Sequence, residues 1–410
     1  MLRAAKNALA VEYAIRDVVL PARELEKQGI EVLKLNIGDP CAYDFDTPAH
    51  IKQAAIDAMN SGKNGYAASE GIQPLREAIV AREKRRSNVD YAVDDTCVTT
   101  GVTESLQMLF AATLGPGDEV LVPGPSYPPY TSLAKLFHAR PISYRCVEES
   151  NWQPDVDDVR RRITDRTRMI CLINPNNPTG ALYGRRIVSD IAGIAAEHAK
   201  QLYLISDEIY DEMTFDGKHV ATASVNKDAP LVTFNGLSKI YLAPGWRIGW
   251  TMFRDVKGAL QEIKQAYFNL ARLRLCASSI AQHGALAALT GPQDHVAPTI
   301  AKLKARRDLS VKRLNEIEGI SCAKPDGAFY AFPKIKPLEA PGAPWRNDKE
   351  FVLDLLRDSH VLTVHGSGFD PVFGTNHFRT VILPPEPVLD AAFKALEKFM
   401  KKRLKKVPAA

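Results

Sequence analysis

The central part of the chain alternates short apolar runs with segments of helical periodicity. Six of the runs are mostly continuous in their hydrophobicity, and they lie at 97–100, 119–123, 168–173, 202–206, 231–234 and 248–253. Such runs are typical of strands buried on both faces of a sheet. Helices are predicted between them at 104–114, 185–198 and 256–271. This alternation predicts an α/β fold with a mostly parallel sheet that is covered by helices.

Other patterns flank this part. Before it, helical periodicity predicts helices at 14–28, 48–60 and 72–87, and the apolar run at 32–37 predicts a strand. Gly29 follows the first of these helices, where glycine commonly ends a helix.

The pattern changes again after about residue 290. A long polar helix is predicted at 296–317, and the segments 320–324 and 328–332 on either side of Pro-Asp-Gly predict a β-hairpin. The remaining predicted elements are a helix at 349–359, strands at 361–364 and 378–383, and a last helix. We therefore expect residues 46–290 to form a large domain and residues 291–410 a smaller α+β domain, to which residues 1–45 contribute an arm and a first segment.

Composition restricts the class of protein without indicating its chemistry. The 410 residues are 45% hydrophobic and 25% charged, with a net charge of +5. This charge is too small to suggest nucleic acid binding, and no apolar run approaches the roughly 18 residues of a membrane span. The six cysteines form no C-x-x-C pair, so we expect reduced thiols and no metal site. The N-terminus lacks the apolar stretch of a signal peptide, so we expect a cytoplasmic protein.

Ligands of open parallel sheets bind beyond the carboxyl ends of the strands, so the residues that follow each predicted strand are candidates. Gly101 and Thr103 open a helix, whose N–H groups favour an anion such as phosphate. The next loop, at 124–130, holds Tyr127 and Tyr130 between prolines and can present an aromatic face. Taken alone, the first feature is more often an ordinary capped helix start, and the second more often core packing or a rigid turn.

Three further strand ends carry polar groups. The loop at 174–180 presents three amides, Asp207 ends a buried run, and Lys239 follows another run with Arg247 eight residues later. A buried carboxylate needs a cation, and a buried lysine near other cations becomes a nucleophilic amine. This set of groups at one sheet edge fits pyridoxal 5′-phosphate. The set consists of an amine, an aromatic ring that can stack, an amide, a carboxylate and an anion site.

The chain resembles class I aminotransferases, which have the aspartate aminotransferase fold (fold type I). The resemblance covers nearly the whole chain, and its motifs are 174–180 (NPNNPTG), 206–210 (SDEIY), 238–239 with 245–249 (GWRIG), and 378–384 (FRTVILP). It implies a seven-stranded sheet in the large domain. Within the class, segments such as 34–40 (KLNIGDP) and 234–239 (FNGLSK) are most similar to prokaryotic, above all archaeal, alanine (glutamate–pyruvate) aminotransferases.

This resemblance implies roles around the pyridoxal phosphate ring. Lys239 is expected to hold the cofactor as an internal aldimine and then to move the proton between the substrate α-carbon and the cofactor. Asp207 is expected to pair with the ring nitrogen, and Tyr127 to stack on the ring. Asn177 and Tyr210 are expected to donate hydrogen bonds to the phenolic oxygen, and Asn177 also to lie beside the substrate.

The resemblance also implies how the phosphate is held. The expected contacts are the side chains of Ser238, Arg247 and Thr103 and the backbone N–H groups of Val102 and Thr103. Tyr66 matches a tyrosine that reaches the phosphate from a partner subunit, so the active unit is expected to be a C₂ homodimer with composite sites.

For the substrate, the resemblance implies that Arg379 binds the α-carboxylate and that the Gly38 backbone touches the same molecule. A second carboxylate, as in 2-oxoglutarate, needs a further cation. We expect Arg16, beside Tyr13 in a closing N-terminal segment, to be that cation, with Arg274 as the alternative. A surface or interface salt bridge is the other explanation for both arginines.

The expected reaction is transfer of the amino group of L-alanine to 2-oxoglutarate. The alternatives are an aminotransferase of aspartate, aromatic or branched-chain specificity, and a carbon–sulfur lyase with the same cofactor. A regulator built on this fold would carry a DNA-binding domain, for which there is no helix-turn-helix signal. One departure from the resemblance is Gly236, where many relatives carry a serine that contacts phosphate.

Overall fold

The computed structural model describes residues 2–9, 11, 14, 18–255 and 257–405. Its helices are Lys6–Leu9 (α1), Val19–Lys27 (α2), Ala49–Asn60 (α3), Gln73–Ser87 (α4), Val102–Thr113 (α5), Pro129–Leu136 (α6), Val156–Arg162 (α7), Arg185–Glu197 (α8), Gln261–Arg274 (α9), Ser279–Thr290 (α10), Val296–Glu316 (α11), Asp348–Ser359 (α12) and Glu386–Leu404 (α13). Its strands are Leu33–Lys34 (β1), Thr96–Thr99 (β2), Glu119–Gly124 (β3), Arg140–Val147 (β4), Gln153–Pro154 (β5), Thr167–Ile173 (β6), Tyr203–Asp207 (β7), Leu231–Gly236 (β8), Gly249–Arg254 (β9), Ile320–Ser321 (β10), Tyr330–Ala331 (β11), Lys334–Ile335 (β12), Val361–Leu362 (β13), Val364–His365 (β14) and Phe378–Val381 (β15).

The central sheet has the strand order β2-β9-β8-β7-β6-β3-β4-β5. Strands β4, β3, β6, β7 and β8 are parallel, and β9 runs antiparallel to both of its neighbours, β8 and β2. All six predicted strands are in this sheet, so the predicted α/β fold is confirmed. Seven of its strands have four or more residues, and β5, which has two, adds an eighth.

Both faces of this sheet are buried, which explains the continuous apolar runs. In β3, Val120 and Val122 pack with Phe110 of α5 in one hydrophobic cluster, whereas Leu121 packs in a second cluster on the other face. Because side chains alternate between the faces of a strand, a strand buried on both faces is apolar along most of its length.

The hairpin predicted around Pro325-Asp326-Gly327 is wrong. Strand β10 pairs with β12, and β11 pairs with β15, so the two segments flanking this turn are not partners. The backbone N–H groups of Asp326 and Gly327 both donate to the Gly180 carbonyl instead, and Ala328 N–H donates to the Met213 carbonyl. The turn is thereby attached to loops of the central sheet.

The N-terminal segment joins the C-terminal elements. Leu33 of β1 pairs in parallel with Val361 of β13. The predicted helix at 14–28 overlaps α2, and that at 256–271 overlaps α9; helices α1, α6, α7 and α10 were not predicted. No helix in the described ranges is long and apolar enough to cross a bilayer. All six cysteines are free thiols, as expected.

Candidate active site

The predicted strand ends converge on one pocket. Because β9 is antiparallel, its first residue lies at the same sheet edge as the carboxyl ends of β2, β3, β6, β7 and β8. Most of the predicted site residues line a pocket at this edge, namely Gly38, Val102, Thr103, Tyr127, Asn177, Asp207, Tyr210, Ser238, Lys239, Arg247 and Arg379. The expected proximity of these residues is therefore observed, although their roles remain predictions.

Lys239 lies three residues beyond β8. Its Nζ donates to the Gly38 carbonyl at 3.0 Å and lies 5.6 Å from the centroid of the Tyr210 ring. Burial lowers the pKa of this amine to about 8, and the positive charges of Arg379 and Arg247 act in the same direction. The lowered pKa leaves an appreciable fraction of neutral amine at neutral to mildly alkaline pH, which a nucleophilic lysine requires.

Asp207 is the last residue of β7 and is fully enclosed. It accepts hydrogen bonds from Tyr130 Oη at 2.8 Å and from the Ile209 backbone N–H at 3.2 Å. Burial raises the pKa of Asp207 to about 6, against the opposing effect of the Tyr130 hydrogen bond. It forms no ion pair with any residue in the described part of the chain. A cationic ring nitrogen in the pocket would supply the missing positive charge.

The candidate anion site is where β2 leads into α5. Gly101, the N-cap residue, has a φ of +83° and no side chain to cover the first N–H groups of this 12-residue helix. A Cβ at Gly101 would lie 2.5 Å from Arg247 Nη2. The close approach of Arg247 to a bare helix N-terminus, with Thr103 and Ser238 lining the same pocket, suits a phosphate group.

Gly236 departs from the resemblance for a steric reason. It pairs with Gly249 across β8 and β9. A Cβ on Gly236 would lie 2.7 Å from the Ile248 carbonyl oxygen and 2.9 Å from Gly249 Cα. Both are backbone atoms that cannot rotate away, so a serine at this position would require the two strands to separate.

The side-chain amides of the loop at 174–180 have two different roles. Asn174 Oδ1 accepts from the Tyr183 N–H at 2.8 Å, and Asn176 Oδ1 accepts from Thr179 Oγ1 at 2.9 Å. These two amides maintain the loop conformation. Asn177 lines the pocket instead, where its Oδ1 accepts from Arg379 Nη1 at 3.0 Å.

Arg379, in β15, is 1% exposed. Besides Asn177, it donates through Nη2 to the Asn36 carbonyl. Its guanidinium carbon lies 4.6 Å from the centroid of the Tyr330 ring and 4.8 Å from that of Phe369. A buried guanidinium with restricted rotation at a pocket wall is suited to bind a carboxylate as a fork.

Two tyrosines of the pocket were not assigned roles from the sequence. Tyr130 was one of two candidate aromatic residues in its loop, and it is the residue that donates to Asp207. Tyr330 lies in β11, and its Oη is 2.9 Å from Tyr210 Oη. No local pattern distinguishes Tyr330, because only the pairing of β11 with β15 brings it to the pocket.

The remaining predicted residues lie elsewhere. Tyr66 is 85% exposed. Arg274 lies outside the pocket and pairs with Glu104 at 2.8 Å. Tyr13 and Arg16 lie outside the described residues.

These observations fit pyridoxal 5′-phosphate. Lys239 offers an amine to its aldehyde, and Asp207 offers a carboxylate to its ring nitrogen. Asn177 and Tyr210 lie together on the wall of the pocket, and an anion site suits its phosphate. When bound, this cofactor supplies a sink for electrons released from the substrate α-carbon.

The raised pKa of Asp207 predicts a pH-dependent difference in stability for Asp207→Asn in the protein without cofactor. Burial favours the neutral acid, so ionisation of Asp207 destabilises the wild type as pH rises from about 4 through 6. The asparagine can still accept from Tyr130. Urea unfolding should therefore show the variant on the order of 2–3 kcal/mol more stable at pH 8, with the difference vanishing near pH 4.

Asp158→Asn is the matched control with the opposite sign. Burial alone would raise the pKa of Asp158, but the hydrogen bonds from Arg162 and the Arg145 N–H lower it overall. This control variant should be less stable than the wild type above about pH 4. A pH-independent effect of Asp207→Asn would contradict the assignment of a raised pKa to Asp207.

Comparison with known proteins agrees with the geometry. Residues 30–396 match the family described as aminotransferase class I and II. The alanine aminotransferase of Mycobacterium tuberculosis H37Rv is 40% identical over 397 residues, which cover 95% of this chain and 90% of that protein. The glutamate-pyruvate aminotransferase AlaA of Escherichia coli K12 is 38% identical over 393 residues, with 95% of each chain covered.

Among solved structures, an alanine aminotransferase from Pyrococcus furiosus is 56% identical. It superposes with a TM-score of 0.94 over 98% of this chain and 100% of that one. Enzymes of the matched family depend on pyridoxal phosphate, in agreement with the pocket at the sheet edge. The chain therefore belongs to the class I and II aminotransferases, the pyridoxal phosphate-dependent enzymes of the aspartate aminotransferase fold.

Proposed function

We propose that this enzyme transfers the amino group of L-alanine to 2-oxoglutarate and forms pyruvate and L-glutamate, reversibly and by a ping-pong scheme. The observation that carries the proposal is a buried amine of lowered pKa, Lys239, in one pocket with the buried guanidinium of Arg379. The names of the relatives, alanine and glutamate-pyruvate aminotransferase, support the choice of substrates.

In this proposal the side chains of the pocket divide the work. Arg379 binds the substrate α-carboxylate, and the Gly38 backbone lies beside the same molecule. Lys239 would move the proton between the substrate α-carbon and the cofactor, which is the net proton shift that transamination requires. Asp207 keeps the ring nitrogen of the cofactor positively charged, and Tyr210 donates a hydrogen bond to its phenolic oxygen.

The two substrates differ at the far end of the side chain, where alanine has a methyl group and 2-oxoglutarate a carboxylate. Arg274 already pairs through Nη1 with the carboxylate of Glu104, and its Nη2 donates to both the Ser69 and Val98 carbonyls, so its charge is balanced within the chain. This occupancy favours Arg16, with Tyr13 nearby in the sequence, as the cation for the distal carboxylate.

The working unit in this proposal is a homodimer. Tyr66 is exposed beside Gly65, whose carbonyl accepts from Ser279 Oγ at 2.6 Å. The same region exposes Leu273 and Leu275, by 82% and 52%. Exposed apolar side chains beside a predicted phosphate ligand fit a surface that a second copy covers.

The domain boundaries at 45 and 290 are part of the same proposal, with β1 joining the C-terminal elements through β13. A cytoplasmic location is a further part, supported by free thiols at all six cysteines.

A panel of amino donors with 2-oxoglutarate tests the substrate assignment. Alanine should give the highest kcat/KM, and Lys239→Ala should lower turnover by several orders of magnitude because no other group in the pocket can replace the amine. Higher kcat/KM with aspartate, aromatic or branched-chain donors would contradict the alanine assignment. Release of ammonia without an oxo acid would indicate a lyase instead.

Mixed dimers test the composite site. A dimer of one Tyr66→Ala chain and one Lys239→Ala chain has one site with both residues intact, if Tyr66 serves its partner's pocket. Random mixing should then recover up to about a quarter of wild-type turnover, although each variant alone is weak. Mixed dimers isolated through two affinity tags provide the control for assembly. Their failure to exceed the Tyr66→Ala homodimer would contradict the composite arrangement.

A further inference from the structure

Tyr330 contacts three parts of the pocket at once. Its Oη is 2.9 Å from Tyr210 Oη. Its ring centroid is 4.6 Å from the guanidinium carbon of Arg379. A Cβ added to Gly38 would lie 2.2 Å from its Oη, so the hydroxyl is packed against the Gly38 backbone. The side chain is buried, with 3% exposure.

The strand register determines this position. Tyr330 pairs with Val381 in the antiparallel β11–β15 ladder. Arg379 is two residues before Val381, so its side chain projects from the same face as the Tyr330 ring. Phe329 supports the ring from a centroid distance of 4.8 Å. Strand β11 belongs to a three-stranded sheet of order β11-β15-β14, and Tyr330 reaches from this sheet to Tyr210, which lies three residues beyond β7 of the central sheet.

We propose that Tyr330 is a positioning residue with two separable effects. Its hydroxyl donates to Tyr210 Oη and thereby directs the Tyr210 proton toward the phenolic oxygen of the cofactor. Its ring fixes the plane of the Arg379 guanidinium that receives the substrate α-carboxylate. The inference deepens the proposed function, since it rests on the roles proposed there for Tyr210 and Arg379.

The hydroxyl effect follows from counting protons. A phenol has one proton to donate, so when Tyr210 donates to a bound anionic oxygen it can only accept from Tyr330. Two hydroxyls in series polarise each other, and the second becomes a stronger donor. Both phenols are buried, so water does not compete for these hydrogen bonds.

The ring effect follows from the shape of the guanidinium. An arginine stacked on an aromatic face loses rotational freedom. Its N–H groups lie in the plane of the guanidinium and stay available for hydrogen bonds. Asn177 fixes one Nη atom and the Asn36 carbonyl the other, so the ring restricts the remaining tilt. A tilt would affect every substrate, because all of them carry the α-carboxylate.

Tyr330→Phe isolates the hydroxyl. In the protein reconstituted with pyridoxal phosphate and without substrate, the pH midpoint of the cofactor's visible absorption change should rise by about half a unit. A weaker hydrogen bond leaves more negative charge on the phenolic oxygen, which favours protonation of the neighbouring nitrogen. The KM for alanine should stay within about twofold of wild type, because the ring is retained.

Tyr267→Phe is the matched control. Tyr267 is equally buried, and its Oη is 2.6 Å from Thr251 Oγ1, in the opposite hydrophobic cluster of the sheet. This variant loses a comparable hydrogen bond and should leave the midpoint unchanged.

Tyr330→Met removes the ring while filling most of its volume, and Tyr330→Leu replaces it if the methionine variant does not fold. The KM values for alanine and for glutamate should both rise by about tenfold or more, because both substrates present the same α-carboxylate. Thermal unfolding and cofactor content verify that each variant is folded and loaded.

The outcomes separate this inference from the proposed function. A Tyr330→Phe midpoint equal to that of Tyr267→Phe overturns the hydroxyl effect, and unchanged KM values in the ring-deleting variant overturn the ring effect. Either result is compatible with a wild type that binds pyridoxal phosphate and transaminates alanine. A wild type that does neither overturns both the proposed function and this inference.

Discussion

Two opposite charges are buried beyond the ends of adjacent strands, and neither forms an ion pair with a residue in the described ranges. Lys239 follows β8 and Asp207 ends β7. Burial lowers the pKa of the amine to about 8 and raises that of the carboxyl to about 6, so burial destabilises the charged form of each group. A ligand that carries an electrophile for the amine and a cation for the carboxylate relieves both costs.

The fold supplies the rigidity that this arrangement needs. The carboxyl ends of β2, β3, β6, β7 and β8 and the first residue of the antiparallel β9 lie at one edge, with a hydrophobic cluster on each face of the sheet. Close backbone approaches bring the parts together at that edge. A Cβ on Gly249 would lie 2.7 Å from Val102 N, so β9 lies directly against the start of α5. The absence of side chains at Gly101 and Gly249 thus allows Arg247 to lie close to the N-terminus of α5.

The predictable parts of the structure were those with local signals. Strands β3, β6, β7 and β8 were found because their burial on both faces requires continuous apolar runs. Strand β4 escaped prediction because Arg140 and Arg145 remain exposed on an outer strand. The Pro-Asp-Gly turn has the local sequence of a hairpin. Its actual hydrogen-bond partners, Gly180 and Met213, are distant in sequence, so the local pattern cannot indicate them. The position of Tyr330 in the pocket could not be predicted for the same reason, since it depends on the register of β11 against β15.

The most direct test of the account is to locate the cofactor covalently. The wild-type protein is loaded with pyridoxal phosphate, reduced with borohydride, digested, and analysed by peptide mass spectrometry. The account predicts one reduced adduct per chain, on the peptide that contains Lys239. An adduct on another lysine, or none on a fully folded protein, would contradict the central role of this buried amine.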